Sequence, residues 1–261
     1  MQIQNNATYS VVVPLFNEEE SLDLLVTGIL KIVDADPRFL ELVLVDDGSH
    51  DATAKLVSDW SARDGRIRLV QHDVNRGLGA AIRTGLAAAA GDLVLYTDAD
   101  LPFDFSLIPQ LVAETDSGCV VTGYRLNRGE GARRWVLTKS YNFMIWLFFG
   151  LHLRDVNFAC KVLPQTLLRS SRLTSEGSFI DAEIMLESRR LGLRTVEFPL
   201  VYFPRERGCS TLSRPAVIVG ILKEMFSYLK RHFADQGVFL VFTHNSRAAR
   251  AAMLFVKSLS S

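Results

Sequence analysis

Between residues 9 and 97, short apolar runs alternate with longer stretches whose apolar residues recur at helical spacing. No other feature constrains the fold as much. Strand signals fall at residues 9–14, 41–45, 67–71 and 93–97, and helix signals lie between them at 18–33, 52–62 and 78–90. Asp51 or Ser49 stands where it would cap the second helix. This order predicts an α/β fold with a mostly parallel, doubly wound sheet flanked by helices. A length of 261 residues suits one large α/β domain, with or without a small appendage. Apolar residues at 48% are enough for its core.

Past residue 109 the pattern loosens. A strand is expected at 119–123, an aromatic-rich helix at 135–149, a helix at 179–191 and a strand carrying Pro199 at 195–203. A long amphipathic helix follows at 215–233, and apolar segments at 239–242 and 248–259 close the chain. The expected division is a domain over 1–214 and a helical C-terminal extension over 215–261.

Lys plus Arg and Asp plus Glu both number 29, so there is no global basic footprint for nucleic acid. Cys119, Cys160 and Cys209 match neither a disulfide framework nor a zinc pattern, and buried thiols in a reducing compartment are expected. Residues 1–8 are polar, so no secretory leader is expected. The most apolar stretch, 141–153, is shorter than the roughly twenty residues a bilayer span needs. The expected location is cytoplasmic, peripheral to the cytoplasmic membrane face or held there by a separate membrane-anchored partner.

Chemistry gathers in the turns after the first strands. They read Pro14-Leu15-Phe16-Asn17-Glu18-Glu19, Asp46-Asp47-Gly48-Ser49, Asn75-Arg76-Gly77-Leu78-Gly79 and Asp98-Ala99-Asp100. In a parallel sheet these turns share the carboxyl edge, where ligands bind. Asp98 and Asp100, two residues apart at a strand end, aim the same way and repel each other. A hard divalent cation carrying a phosphorylated substrate would relieve that repulsion. Asp46 or Asp47 is suited to accept hydrogen bonds from a base or ribose. Arg76 and the amides that open the 78–90 helix offer positive charge to phosphate. Gly77-x-Gly79 lacks the third small residue of a dinucleotide fingerprint, since Ile82 stands there, and no P-loop is present.

The four turns, in this order and spacing, resemble glycosyltransferase family 2, over roughly residues 9–214. The likeness is strongest to its polyprenyl- or dolichyl-phosphate mannosyl- or glucosyltransferase branch. The resemblance implies a GT-A fold and an inverting transfer from a GDP- or UDP-sugar, dependent on Mg²⁺ or Mn²⁺. It implies that Pro14, Phe16, Asn17, Glu18, Asp46, Asp47, Arg76, Gly77 and Asp98 bind the nucleotide sugar. Asp98 and Asp100 would hold the metal. Where that branch usually has a polar residue after the position of Leu101, this chain has Pro102.

The second half should carry the acceptor. Arg125, Arg128, Arg133 and Arg134 surround a single acid, Glu130, either as a solvated basic loop or as a phosphate clamp. The resemblance implies acceptor-phosphate contacts from Arg125, Arg133, Arg134, Ser140, Arg205 and Arg207. Asp181 and Glu183 match the acids that supply a base in relatives acting on hydroxyl groups, and Asp155 also occupies a family position. Helix capping or surface exposure is the plain alternative for all three. Aromatic residues from Trp135 to Phe149 occupy nearly every face of their helix, which suits either a core or a membrane interface. The 215–233 helix has the same two readings. The expected reaction is transfer of mannose or glucose to a polyprenyl phosphate. A sugar-hydroxyl acceptor and a catalytically silent nucleotide-sugar-binding protein are the alternatives.

Overall fold

A computed structural model describes residues 6–126, 131–203 and 215–236. The first four strands are β1 (Tyr9–Leu15), β2 (Phe39–Asp46), β3 (Ile67–Gln71) and β4 (Leu93–Thr97). Helices α1 (Leu22–Val33), α2 (Thr53–Arg63) and α3 (Leu78–Ala88) connect them. There follow α4 (Ile108–Ala113), β5 (Cys119–Arg125), α5 (Gly131–Phe149), β6 (Cys160–Pro164) and α6 (Gln165–Ser170). Next come α7 (Ile180–Arg190), β7 (Arg194–Leu200) and α8 (Pro215–Gln236).

Among the described residues the sheet has seven strands in the order β3-β2-β1-β4-β6-β5-β7. Pairing is parallel between β1 and β2, β1 and β4, β2 and β3, and β5 and β7, while β6 runs antiparallel to β4 and β5. The expected mostly parallel, doubly wound sheet is therefore present. Helices cover both faces, which is why β1 is apolar apart from Ser10 and buried along its whole length. Its alternate residues serve different layers. Val11, Val13 and Leu15 pack with α1, α2 and α4, whereas Val12 packs with α3, α5, α7 and α8.

Two helix ends are shorter than periodicity predicts, for local reasons. Residues 18–21 are held in a turn, where Glu18 N–H donates to the Thr53 hydroxyl and Glu19 N–H to the Asp51 carboxylate. At the end of α3, the Ala90 amide is captured by Glu41 (2.7 Å) and the Gly91 amide by Ser10 Oγ (2.9 Å). Strand β6, with the short helices α4 and α6, has no counterpart in the sequence reading. Its run is interrupted by Lys161, a residue that breaks an apolar pattern unless something buried neutralises it. Pro199 lies in β7, at the sheet edge, where a missing N–H costs no ladder bond.

Helix α8 lies against the domain. Ile221, Met225, Tyr228 and Leu229 are buried in the second core, and Tyr228 meets the Phe149 and Phe179 rings at 5.7 and 5.8 Å. The segments expected at 239–242 and 248–259 lie outside the described residues. Cys119 and Cys160 are free and buried, as the sequence implied, and burial pushes the Cys160 thiol up to about 12. Cys209 lies outside the described residues. No helix among them is long and apolar enough to cross a membrane.

Candidate active site

The four polar turns do share the carboxyl edge of the sheet, and hydrogen bonds join the first to the second and the second to the third. Asn17 adopts the left-handed conformation (φ 55°), its N–H donates to Ser49 Oγ (2.9 Å), and its side-chain oxygen accepts from the His50 N–H (2.9 Å). Phe16 is exposed and meets the His50 ring edge-on. Pro14 sits inside β1, paired with Val45. Glu18 accepts from the Ser21 hydroxyl (2.7 Å). Gly48 (φ 69°) lets the second turn pass the third, since a Cβ there would lie 2.5 Å from the Val74 carbonyl carbon.

The two aspartates of the second turn divide their work. Asp46 is buried at the end of β2 and accepts from the Ser49 N–H (3.1 Å) and Gln71 Nε2 (3.0 Å). An ionised carboxylate has about four acceptor positions, so capacity for a ligand N–H remains. Asp47 faces the third turn instead. It meets His72 Nδ1 at 2.7 Å and accepts the Arg76 and Gly77 amides at 2.9 and 2.8 Å. His72 Nε2 in turn lies 2.9 Å from the Thr84 hydroxyl.

One expectation about phosphate is corrected here. The Gly77, Gly79 and Ala80 amides at the start of α3 are engaged within the protein and not available to an anion. The Gly77 N–H is bound by Asp47, and the Gly79 and Ala80 N–H groups donate to the Glu176 carbonyl (2.8 and 3.3 Å). The exposed Arg76 side chain is what this turn presents to solvent.

Asp98 and Asp100 follow β4, half-buried, with Ala99 buried between them and Leu101 at φ 53°. Tyr96, two residues before Asp98 and on the same strand face, places its hydroxyl 3.5 Å from Asp98 Oδ1. Burial, then the charges of Asp181, Asp98 and Asp100, raise the Tyr96 phenol well above its ordinary value, so it stays protonated and can donate. Among the described residues, no group of three or more His, Cys, Asp or Glu side chains is arranged to hold a metal ion. A carboxylate pair fits the other mode. Mg²⁺ and its like are often bound by one or two carboxylates together with substrate phosphates.

Behind this pair lies a buried ionic layer. Lys161 is 0% exposed, and its Nζ donates to Asp181 and to the Phe158 carbonyl (2.9 Å), 5.8 Å from the Tyr96 ring centre. Burial raises the Asp181 carboxyl, and the Lys161 charge works against that shift. Asp155 grips Arg125 through two bonds (2.6 and 3.0 Å), with Arg125 Cζ 5.5 and 5.2 Å from the ring centres of Phe158 and Tyr202.

The acceptor-side expectations fare unevenly. Arg125, expected to meet the acceptor phosphate, is buried against Asp155 instead. Asp181 and Glu183, expected as bases, are 4% and 0% exposed. Two residues apart on a helix, they cannot share a face. Asp181 turns toward β4 and β6. Glu183 accepts from Thr174 N–H (3.0 Å), Thr174 Oγ1 (2.9 Å), Ser175 N–H (2.8 Å) and Arg231 (3.1 Å). Ser140 is exposed on α5. The side chains of Arg133 and Arg134, and all of Arg128, Glu130, Arg205 and Arg207, lie outside the described residues. The sequence reading missed Lys161, whose strand it did not see. It also missed Tyr96, which period-two spacing from Asp98 does place on the same strand face.

The chain is similar to several known proteins. The Glycosyl transferase family 2 model matches residues 10–173. Dodecaprenyl-phosphate galacturonate synthase of Rhizobium johnstonii is 33% identical over 227 residues, covering 83% of this chain and 66% of that protein. Undecaprenyl-phosphate 4-deoxy-4-formamido-L-arabinose transferase of Aeromonas hydrophila subsp. hydrophila is 32% identical over 202 residues, covering 76% and 61%. The chain thus spans about two thirds or less of the length of these relatives. Glucosyl-3-phosphoglycerate synthase from Mycobacterium tuberculosis, solved with Mn²⁺ and UDP-glucose, shares the fold at TM-score 0.65. It is 24% identical, with 86% of this chain and 79% of that one covered. With the four turns on one sheet edge and the family model spanning most of the sheet that carries them, the chain belongs to glycosyl transferase family 2.

Proposed function

We propose that this protein transfers a sugar, with inversion, from a nucleoside diphosphate sugar to a polyprenyl phosphate. Phe16, Asn17 and Asp46 line the base and ribose side, Arg76 faces the diphosphate, and Asp98 and Asp100 would hold Mg²⁺ or Mn²⁺. When bound, that ion supplies positive charge against the departing diphosphate. An acceptor phosphate oxygen bonds to the anomeric carbon as the bond from that carbon to the diphosphate oxygen breaks, and the electron pair leaves with the nucleoside diphosphate.

The observation that carries the acceptor class is that both acids are engaged inside the protein, Asp181 by Lys161 and Glu183 by Thr174, Ser175 and Arg231. A sugar hydroxyl must lose a proton to a positioned base. A phosphate monoester, with its second pKa near ~6, is already largely dianionic at neutral pH and needs only positioning. Acids that are buried and hydrogen-bonded suit the second case. The named activities of the relatives, both on polyprenyl phosphates, support the same reading.

The exposed Val136 and Phe143 of α5 and Val219 of α8, beside the exposed Lys139, Lys223 and Lys230, suit seating on the cytoplasmic face of a membrane. Helices α5 and α8 are joined by the Phe148–Phe226 contact.

The test is transfer of radiolabel from a donor panel with Mn²⁺ to undecaprenyl phosphate in vesicles, against free glycan acceptors. The panel holds UDP- and GDP-linked glucose and mannose, the expected hexoses, and UDP-galacturonate. Label on the lipid is expected, and label on glycan alone overturns the acceptor class. Donor binding without any transfer would identify a silent binding protein. Thermal stabilisation by Mn²⁺ with UDP or with GDP assigns the base. Asp98→Asn should lower turnover about 10²-fold or more while leaving the unfolding midpoint in place. Unchanged turnover in that variant would sink the metal–diphosphate role.

A further inference from the structure

Helix α8 reaches the donor side of the molecule through one carboxylate. Glu224 accepts hydrogen bonds from the backbone N–H groups of Glu176 (2.8 Å), Gly177 (2.7 Å) and Phe179 (3.3 Å). These amides belong to the strap that leads into α7, and they include groups with no partner inside that helix. Glu183, itself bound by Arg231 of α8, holds the Thr174 and Ser175 amides just upstream. Two carboxylates therefore fix the strap from one side.

On its other side the strap rests on the turn that carries Arg76. The Glu176 carbonyl accepts from the Gly79 and Ala80 amides, and the packing leaves no room for a side chain. A Cβ at Gly77 would lie 2.5 Å from the Glu176 oxygen, and one at Gly79 would lie 2.5 Å from that of Ser175 and 2.6 Å from that of Gly177. At the strap's end, Asp181 enters the buried layer beside Tyr96 and Lys161. Moving the strap therefore moves both the Arg76 turn and the support of Asp98.

We infer that Glu224 is a positioning residue, through which the docking of α8 sets the geometry of the nucleotide-sugar site. Its own side chain does not need to touch substrate. Contact by backbone hydrogen bonds and glycine packing passes the constraint from α8 to the strap and from the strap to the Arg76 turn. The consequence for catalysis rests on the donor site proposed above; the mechanical coupling does not.

Hydrogen exchange on the full chain tests the coupling without any assay of activity. In Glu224→Ala, amides 176–179 should exchange faster, and so should Gly79 and Ala80, which Glu224 does not contact. Affinity for Mn²⁺–UDP or Mn²⁺–GDP, whichever binds the wild type, should fall about tenfold. Glu224→Gln keeps one acceptor oxygen and should fall between, which preserves the test if the alanine variant fails to fold. Tyr228→Phe removes another α8 contact, the 3.1 Å bond to Glu187, and should lower stability while leaving Gly79 and Ala80 protected. Wild-type exchange at Gly79 and Ala80 in both Glu224 variants overturns the inference, and so does unchanged nucleotide affinity. Failure of the wild type to glycosylate a lipid phosphate would instead overturn the proposed function and leave the exchange result standing.

Discussion

Lys161 illustrates what a single buried charge does in this fold. It is the second residue of β6, with no exposure, and Asp181 and the Phe158 carbonyl satisfy it. Removing one member of such a pair leaves the other charged and unsolvated, which costs about 3–5 kcal/mol. Lys161→Met should therefore lower the unfolding free energy by about 3 kcal/mol in urea titration, and adding Asp181→Leu should recover much of that loss. A double variant no better than the single one would mean the pair is not the source of the effect. Asp98 and Asp100 were legible in the sequence because their spacing and position after an apolar run are local facts. The partnerships of Asp47, Arg125, Asp181 and Glu183 were not. Most of the residues that engage them stand 20 or more positions away, and Glu183 is met besides by the Thr174 hydroxyl and two backbone amides eight or nine positions back, where no sequence pattern marks the pairing.

At the scale of elements, α3 shows why small residues recur at 79, 80, 81 and 85. The helix lies flush on the sheet, and a Cβ at Gly85 would come 2.4 Å from Val12 Cγ1 and 2.9 Å from Val45 Cγ2. Gly85→Leu should destabilise by about 1–3 kcal/mol through overpacking. Gly65→Ala, with nothing within 4 Å of its Cβ, should stay within about 0.5 kcal/mol of wild type in the same denaturation series. Strands β1, β2 and β4 could be read from the sequence because burial on both faces makes each a largely apolar run bounded by turn residues, and the edge strand β3 is marked by Ile67, Leu69 and Val70. β6 could not, since its polarity is cancelled by a helix that comes later in the chain. The start of α1 was overestimated because residues 18–21 satisfy helical propensity but are drawn into the site by Thr53 and Asp51.

Across the whole molecule, the two edges of the sheet carry different chemistry. The carboxyl edge gathers the site. The opposite edge carries Asp36, Asp64 and Asp92, each in the loop that enters a strand. Hydrogen bonds from Arg38, from Arg66 and from the Thr8 hydroxyl, respectively, hold these carboxyls below their usual range. A folded-state pKa below the unfolded one contributes stability above the unfolded value and loses it as pH falls through the folded one. The unfolding midpoint should thus be level above about pH 5 and decline below about pH 4, and Asp36→Asn with Asp64→Asn should flatten that decline. An acid limb unchanged in the double variant would place the titrating groups elsewhere.

Local pattern in the chain was sufficient for the doubly wound sheet, the four turns on its carboxyl edge and the paired aspartates, because period, turn chemistry and spacing act over a few residues. Which carboxylates remain open to a ligand and which are consumed inside the protein was settled by folding. So was the embrace of the strap by α8. Those outcomes depend on groups brought together from distant parts of the chain, where desolvation drives most buried charges and amides to find a partner.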